Sequence, residues 1–443
     1  MKASVLNDLW TLSTTGALVA TGKLSIGDGY RAKNSELTTF GIPFARAGNI
    51  NGGFQFKDAE LFPESELRRV GDKVSEAGDV VFTSKGTVGR LAFVSPATPR
   101  FVYSPQLCYW RSRDAETIDA RWLYYWMHGR EFTLQMLGVK GQTDMADYVS
   151  LSDQRRMEIT LPPVPTQRSI ANLLGALDDK IEQNRRTVRV LEQLARVIFR
   201  SWFVDFEPVK AKATGATDFP SMPQPVFDAL PSRFADSDIG PVPEGWEVKA
   251  IGDVVTAKGG GTPSTKNAHY WDGGEHCWAT PKDMSRLAHP VLLDTERRIT
   301  DAGVNAINSG VLPAGTVLMS SRAPVGYLAI AGVPTAVNQG FIAMVCDGPL
   351  PPTYVFNWAF ASMDAIKAHA SGTTFPEISK KNFRPLPVVV PPTDVITAYQ
   401  QAADPVFDLL TARVKESEQL GVMRDYLLPK LLSGDVQVEA THG

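Results

Sequence analysis

The sequence predicts an α+β protein with two tandem mixed α/β domains and two long helices, which pair as an antiparallel coiled coil with pseudo-two-fold symmetry. Two observations predict this fold. A segment of the first half of the chain recurs in the second half, and each copy is followed by a long stretch with a heptad pattern of apolar residues. A chain of 443 residues is long enough for the two or three domains that this arrangement needs.

The repeat is clearest in two aligned segments. Residues 78–93, GDVVFTSKGTVGRLAF, align without gaps on residues 315–330, GTVLMSSRAPVGYLAI. Further matches keep nearly the same separation, among them Gln106 near Gln339. The chain is therefore predicted to be a tandem duplication, in which each copy is a mixed domain followed by a long helix.

The first long helix is predicted over residues 166–206, which contain no proline and a single glycine. Its apolar residues recur at alternating steps of four and three, and Asn184 is the one polar position of this seam. A helix of this length extends roughly 55 Å at about 1.5 Å per residue, so it needs a partner along its length. The positions predicted to pair are Leu174, Leu177, Ile181, Val188, Leu191 and Ile198.

The second long helix carries its own seam, which begins at Val395. Asp404 and Pro405 resemble an N-cap followed by proline at the first helical position, so this helix is expected to kink or restart there. Two matched seams favour pairing within one chain over a homodimeric coiled coil, which is the alternative. The pairing positions predicted on this helix are Val406, Leu409, Leu420, Met423 and Leu427.

These patterns divide the chain into six segments. The predicted segments are a first domain at 1–160, a central helix at 161–206, a linker at 207–240, a second domain at 241–392, a C-terminal helix at 393–434 and a tail at 435–443. The linker is predicted from its many proline and aspartate residues.

Composition excludes several classes of protein. Hydrophobic residues make up 43% and charged residues 21% of the chain, as in ordinary globular proteins. No apolar run approaches the length of a membrane span, and three isolated cysteines suit a reducing cytoplasm, which is the predicted location. The formal net charge of −3 means that any nucleic-acid binding must use a local basic face.

The sequence lacks the motifs of a self-sufficient enzyme. Residues 84–90, SKGTVGR, resemble a phosphate-binding loop without its terminal Lys-Ser/Thr, and residues 258–266, KGGGTPSTK, do not open a helix. No Asn-Pro-Pro-aromatic tetrapeptide, the mark of amino-methyltransferases, occurs. Residues 247–249 have the E-x-K form of many nucleases, but this tripeptide is common by chance and opens a predicted strand. We therefore expect a non-catalytic chain that holds no cofactor and no metal.

Several longer segments resemble the specificity subunits of type I restriction–modification enzymes. They are SWFVDFEPV at the end of the first long helix, LPSRFADSDIGPVPEGWEV at 230–248, GGTPSTKNAHYWDGG at 260–274, SGTTFPEISKKNFRPLPVVVPP at 371–392 and LLPKLLSGDV at 427–436. The resemblance covers essentially the whole chain, and its order agrees with the internal repeat. The first copy departs from the pattern, because it lacks a Gly-Trp-Glu start and a GGTPS loop.

The resemblance implies a DNA-recognition subunit. Its two target-recognition domains, separated by the family's two conserved helices, would each read one half of a bipartite site on double-stranded DNA. The same resemblance implies two modification subunits, which use S-adenosylmethionine to methylate adenine, and restriction subunits that depend on ATP and Mg. The competing interpretation is a coiled-coil structural or regulatory protein without DNA readout, which the diverged loops of the two copies disfavour.

The candidate DNA contacts are polar and basic residues in loops at matched positions of the two copies. Arginine and glutamine suit base edges, whereas lysine and threonine suit phosphate, and the alternative for each is an ordinary solvated turn. The candidates are Arg46, Lys85, Thr87, Arg90, Lys140, Gln142 and Thr143 in the first copy, and Thr262, Ser264, Lys266, Lys282, Ser321, Arg322, Thr373 and Thr374 in the second.

The large apolar residues Trp202 and Phe203 end an otherwise charged helix. Such residues either pack within the chain or are buried by a partner. The prediction assigns them to the docking of partner subunits.

Overall fold

The computed structural model describes residues 9–139, 147–372 and 376–438. The chain forms two compact units, one of Met1–Ile181 with Gln419–Gly443 and one of Glu182–Glu418. Each unit holds one mixed domain together with one end of each long helix. The predicted α+β class, with two tandem domains and paired long helices, is confirmed, and the pseudo-two-fold relation between the copies stays a prediction.

The first domain consists of short strands with small helices between them, and a long helix follows it. Its strands are β1 (Thr11–Thr14), β2 (Leu24–Asp28), β3 (Ile42–Ala45), β4 (Leu61–Phe62), β5 (Val80–Thr83), β6 (Leu91–Phe93), β7 (Val102–Tyr103), β8 (Leu107–Ser112) and β9 (Glu158–Leu161). Its helices are α1 (Thr15–Ala20), α2 (Leu67–Val70), α3 (Ala120–His128), α4 (Arg130–Val139) and α5 (Leu151–Arg156), and the long helix is α6 (Val164–Phe203).

The second domain repeats this order after a connecting segment. Its strands are β10 (Phe234–Ala235), β11 (Val242–Pro243), β12 (Glu247–Ala250), β13 (Thr256–Lys258), β14 (His276–Ala279), β15 (Val291–Leu292), β16 (Arg298–Ile299), β17 (Val317–Ser320), β18 (Leu328–Ala331), β19 (Thr335–Val337), β20 (Phe341–Val345) and β21 (Pro387–Val390). The helices are α7 (Glu207–Ala213), α8 (Gln224–Ala229), α9 (Ile251–Val254), α10 (Pro281–Arg286), α11 (Asp301–Asn305), α12 (Pro352–Ala361), α13 (Met363–Ala368), α14 (Lys380–Phe383) and the long α15 (Thr393–Ser433).

The two domains share the order of their main strands, and the second domain adds the edge strand β15. The first has sheets ordered β2-β8-β5-β6 and β4-β3-β7, and the second has β13-β20-β17-β18-β15 and β16-β14-β19. Even the register is the same, since Val80 pairs with Phe93 and Trp110, and Val317 pairs with Ile330 and Met344. The two copies therefore place equivalent loops at equivalent sheet ends.

The central strand of each domain forms the core. β5 and β17 are buried along their whole length, which suits their runs of β-branched and large apolar residues. Helices α3 and α4 cover β5, with Trp110, Trp126 and Phe132 in contact with one another.

In the first unit, the start of α6 packs against the end of α15. Ile170 and Leu174 share a hydrophobic core with Leu431. One helical turn or two farther along, Arg424 Nη1 lies 2.8 Å from Asp178 Oδ1. The residue numbers of the contacting positions decrease along α15 as they increase along α6, so the two helices run antiparallel.

In the second unit, the end of α6 packs against the start of α15 in the same sense. Val188 contacts a cluster with Leu410 and Val414. Asn184 is buried, and its Nδ2 donates to Glu416 Oε2 at 3.0 Å. A buried polar side chain in an apolar seam favours one register of the two helices, because a slip would leave the Asn184 amide without this partner.

On α6, Leu174, Ile181 and Val188 are buried, whereas Leu177, Leu191 and Ile198 are half-buried. On α15, the predicted seam is displaced by one residue after Tyr399. The buried positions there are Ala403, Phe407, Leu410 and Val414.

The displaced seam corrects two pairing positions. Leu409 is 42% exposed and Met423 is 51% exposed, so both were wrongly placed in the seam. Val406, Leu420 and Leu427 are half-buried. The next buried position after Tyr399 is four residues farther along, at Ala403, and not three. The sequence does not distinguish the two spacings, because apolar residues also occupy the positions beside the true seam.

One further expectation is corrected in the second unit. Helix α15 continues through Pro405, and Asp404 accepts a hydrogen bond from Thr353 Oγ1 at 2.8 Å instead of capping a new helix. The segment predicted as a linker contains the short helices α7 and α8, and its Val209 and Phe227 are buried in the core of this unit.

Candidate nucleic-acid interface

A hairpin turn with one hydrogen-bond pattern follows the central strand of each domain. Thr83 Oγ1 accepts from the backbone N–H of Arg90 at 2.9 Å and donates to the carbonyl of Thr87. Ser320 Oγ accepts from the N–H of Tyr327 at 2.8 Å and donates to the carbonyl of Pro324 at 2.7 Å. A hydroxyl at the base thus holds each turn through main-chain atoms, and the side chains at the tip take no part in these bonds.

A second segment lies beside each turn. Val149 N–H donates to Ser84 O, and Ile378 N–H donates to Ser321 O, each at 3.0 Å. These contacts pair Lys85 with Tyr148 and Arg322 with Glu377 as single β-bridges. Lys85 and Arg322 are therefore structural equivalents, as the alignment predicted.

A third shared element is a loop that passes unusually close to another strand. A Cβ on Gly29 would lie 1.9 Å from Ser104 O, and one on Gly260 would lie 1.7 Å from Val337 O, so only glycine fits. The next residues are held alike, with Tyr30 N–H to Tyr103 O at 2.7 Å and Gly261 N–H to Val337 O at 3.0 Å. The first copy thus has a counterpart of the GGTPS loop, although its sequence does not resemble it.

This equivalence places one arginine that the sequence analysis missed. Counting from the paired glycines, Arg31 occupies the position of Thr262. The sequence contains one sign of this equivalence, which is a glycine two residues before a polar side chain in both copies. This pattern alone did not reveal the match, because the surrounding residues share no identity.

In the first domain these elements surround an open cleft of ≈ 490 Å³. Three cationic side chains line it, and the buried hydroxyl of Ser104 has no hydrogen-bond partner among the residues that the structure describes. The lining residues are Arg31, Arg46, Lys85, Gly86, Ser104, Pro105 and Gln106. The cleft therefore has a positive potential that favours an anionic or acceptor-rich ligand.

The cationic and polar side chains of the first domain differ in how many hydrogen bonds or ion pairs they already make within the chain. Arg46 Nε lies 2.8 Å from Glu60 Oε2 and forms a second contact through Nη2. Gln106 Oε1 accepts from the N–H of Ala47 at 3.2 Å. Arg90 Nη1 donates to Ile50 O at 3.3 Å, and Lys85 and Thr87 are exposed.

In the second domain, some of the corresponding side chains are engaged with one another. Thr262 Oγ1 donates to Gln339 Oε1 at 2.6 Å. Arg322 lies 3.9 Å from Glu377, which is a weak and exposed ion pair.

The other candidates of this domain sit at its surface. Lys282 Nζ lies 3.0 Å from Glu296 Oε2. Ser264 and Lys266 are exposed in the Gly-rich loop, and the Ser264 carbonyl accepts from Trp271 Nε1 at 3.1 Å.

One candidate of the second domain is wrong. Ser321 is 3% exposed, so its side chain cannot meet DNA without rearrangement of the hairpin. Its backbone holds the hairpin and the adjacent segment together, as Ser84 does in the first copy.

One match between the copies is also shifted, since Gln106 is equivalent to Gly340 rather than to Gln339. Arg46 is equivalent to Thr280, and Lys282 lies two residues farther along the chain. The candidates Lys140, Gln142, Thr143, Thr373 and Thr374 lie outside the described residues.

The prediction that Trp202 and Phe203 dock a partner is wrong. They are 1% and 4% exposed and pack against Tyr399 within the second unit. Phe203 also contacts Tyr354 at a ring-centroid distance of 4.8 Å. Both residues serve the core in which α6 ends.

The described residues offer little for covalent or metal chemistry. Residues 9–139, 147–372 and 376–438 contain no group of three or more His, Cys, Asp or Glu side chains that could hold a metal ion. Burial raises the pKa of the Cys346 thiol to about 12, and it also raises the pKa of the Cys108 thiol. Such thiols are protonated near neutral pH and are poor nucleophiles.

The same described ranges include no helix with the length and apolar character needed to cross a lipid bilayer.

Comparison with known proteins adds independent evidence. The family model described as "Type I restriction modification DNA specificity domain" matches residues 25–193 and 243–414. The chain is 24% identical over 438 residues to the type I restriction enzyme HindI specificity subunit of Haemophilus influenzae, covering 89% of this chain and 94% of that protein. It is 34% identical over 191 residues to the MjaIX specificity subunit of Methanocaldococcus jannaschii, covering 43% of this chain and 44% of that one.

A solved structure supports the fold. The S subunit of a type I restriction–modification system from M. genitalium matches with a TM-score of 0.57 and 15% identity, over 95% of this chain and 96% of that one. The two matched regions of the family model contain the hairpin turns and glycine loops of both copies.

Proposed function

Because the chain belongs to the family of type I restriction–modification DNA specificity domains, we propose that it reads a bipartite DNA site, with one half read by each of its two domains. It is the DNA-recognition subunit of such a system and not an enzyme. A coiled-coil protein without DNA readout is disfavoured, because the family match covers both mixed domains as well as much of the long helices.

The observation that carries this proposal is that the two domains share the backbone structure of their loops but differ in the side chains that these loops expose. The hairpin turn, the adjacent segment and the glycine loop are held by equivalent backbone bonds in both domains. At equivalent positions the exposed side chains differ, with Arg31 against Thr262 and Lys85 against Arg322. Conserved backbone positioning with altered side chains suits two readers of two different sequences.

We expect each domain to read its half-site independently. Replacing residues 1–160 with the corresponding domain of a relative should change one half of the methylated DNA motif and leave the other half intact, because the reading loops of the second domain are untouched. The measurement is methylation-sensitive sequencing of DNA from cells that carry the whole system. The matched control replaces residues 241–392 and should change the other half. Alteration of both halves by either exchange would contradict independent reading.

The partners that we propose follow from the family. They are two modification subunits, which bind S-adenosylmethionine and methylate adenine, and restriction subunits that use ATP and Mg. With a net charge of −3, the chain leaves much of the phosphate neutralisation to these subunits. We place the assembly in the cytoplasm, where its DNA target lies.

Exposed apolar side chains on the long helices offer docking surfaces to replace Trp202 and Phe203. In the second unit, Val190, Leu194 and Val197 are exposed on α6 at steps of four and three. In the first unit, Val422 and Tyr426 are exposed on α15 one turn apart, next to Met423. Apolar groups at this spacing suit a helix of another protein. Each unit carries one such surface, in agreement with two modification subunits per chain.

We expect the double substitution Val190→Asp with Leu194→Asp to remove one modification subunit from the assembly. The new charges would be buried by the docked helix without partners, whereas they remain solvated in the free chain. Native mass spectrometry of the co-purified complex measures the stoichiometry. Asn172→Asp, at an exposed position of the same helix in the first unit, is the control. Retention of both subunits by the double variant would remove this surface from the proposal.

A further inference from the structure

We infer that Arg31 is a specificity-determining residue of the first domain and that it reads the acceptor pair of a guanine in the major groove. This inference rests on the proposed function, since it names the base chemistry of one of the two reading sites. It concerns a residue to which the sequence pattern gave no role.

The position of Arg31 is fixed by its backbone. The loop that carries it passes Ser104 so closely that Gly29 tolerates no side chain, and Tyr30 N–H is bonded to Tyr103 O at 2.7 Å. Arg31 itself lines the open cleft beside Lys85. Because this backbone is already fixed in the free protein, contact of Arg31 with DNA would cost little main-chain conformational entropy.

The guanidinium of Arg31 is free for an external ligand. It makes no ion pair or hydrogen bond with any residue in the described part of the chain, whereas Arg46 in the same cleft is held by two contacts to Glu60. The nearby Gln106 uses its Oε1 to accept from Ala47 N–H, and its NH₂ group remains available as a donor. Lys85 presents only donors.

A site built of donors selects a ligand built of acceptors. On DNA, paired acceptors are offered by the N7 and O6 atoms of guanine and by phosphate oxygens, whereas thymine presents the single acceptor O4 beside its methyl group. Adenine and cytosine each present an amino donor in the major groove, which would face the donors of the cleft. The planar fork of arginine matches the two guanine acceptors with two parallel hydrogen bonds.

The duplication favours the base over the phosphate. Phosphate is the same in every sequence, so a phosphate contact on a shared backbone has no reason to change between the copies. The equivalent of Arg31 is Thr262, a short side chain already bonded to Gln339 at 2.6 Å. The first copy therefore has a long cationic side chain, and the second has a short hydroxyl side chain that is already hydrogen-bonded, at the same backbone position. Such a difference is expected of a position that contacts bases.

The test uses Arg31→Ala and Arg31→Lys in the complete modification complex. The matched control is Arg156→Ala, at an arginine of the same domain whose side chain is 82% exposed and does not line the cleft. Methylation-sensitive sequencing gives the motif, and fluorescence anisotropy at several salt concentrations gives affinity for the native site and for unrelated DNA. Arg31→Ala should relax one guanine position in one half-site, with a loss of discrimination on the order of 10- to 100-fold. Arg31→Lys should retain partial preference, and Arg156→Ala should leave the motif unchanged.

The possible outcomes separate the inference from the proposed function. An unaltered motif and unaltered discrimination in Arg31→Ala would overturn the role of Arg31 while leaving bipartite recognition intact. A uniform loss of affinity for all sequences, with a shallower salt dependence, would identify a phosphate contact and overturn the base assignment. Absence of any sequence preference in the unmodified complex would instead overturn the proposed function. Thermal unfolding of each variant checks that the exposed substitution leaves the fold unchanged.

Discussion

We expect the substitution Asp79→Ala to lower the free energy of unfolding of the first unit by about 3–5 kcal/mol, because it removes the buried counter-ion of a buried arginine. Asp79 is fully buried and Arg111 is 3% exposed, and Arg111 Nη2 lies 2.7 Å from Asp79 Oδ2. The Tyr103 hydroxyl donates to the same carboxylate at 2.5 Å. Burial raises the pKa of Tyr103 far above its ordinary value, and the charge of Asp79 raises it further, so the phenol stays a donor.

Chemical denaturation followed by circular dichroism measures this loss, and a neighbouring residue provides the control. Glu76 contacts the same Arg111, but its side chain is 51% exposed. Glu76→Ala should therefore cost no more than about 1 kcal/mol, as is usual for exposed ion pairs. Equal losses for the two variants would show that the burial of Asp79 adds nothing to the interaction.

Trp202→Ala should destabilise the second unit by about 3–5 kcal/mol, since it opens a cavity in a closed aromatic cluster. The indole packs against Phe203 and Tyr399, at ring-centroid distances of 6.0 and 6.2 Å. Trp202→Phe should cost much less. Its ring retains part of the buried area, and the lost Nε1–H has no hydrogen-bond partner among the described residues.

The measurement for this pair is thermal and chemical unfolding of the purified chain. It also decides between a structural residue and a docking residue. A docking residue would leave the stability of the free chain unchanged and weaken only its assembly with modification subunits. We expect the reverse, with a large loss of stability already in the free chain.

The sequence was sufficient to predict what repeats. The gap-free alignment of 78–93 with 315–330 corresponds to identical strand pairing, in which Val80 and Val317 hold the same register. The heptad pattern predicted both long helices almost to their ends. These features are visible because strands and helices impose periods of two and about 3.6 residues on burial.

Features that depend on the meeting of distant segments could not be predicted. Gly29 and Gly260 are equivalent because each passes close to another strand, and no local pattern records such an approach. The seam of α15 was displaced because apolar residues flank it on both sides, so periodicity alone did not choose between adjacent registers. Trp202 was assigned to a partner because the residue that packs against it, Tyr399, is distant in sequence, so local sequence did not indicate its burial.

The hairpin turns have a consequence for how new specificities arise. Thr83 and Ser320 hold their turns through main-chain atoms, so the residues at the tips can change without loss of the bonds that shape them. The two tips, KGTV and RAPV, already differ in this way within one chain. Substitution of an exposed tip residue such as Lys85 or Thr87 would therefore cost little stability. Under the proposed function, such single substitutions would give new target sequences one half-site at a time.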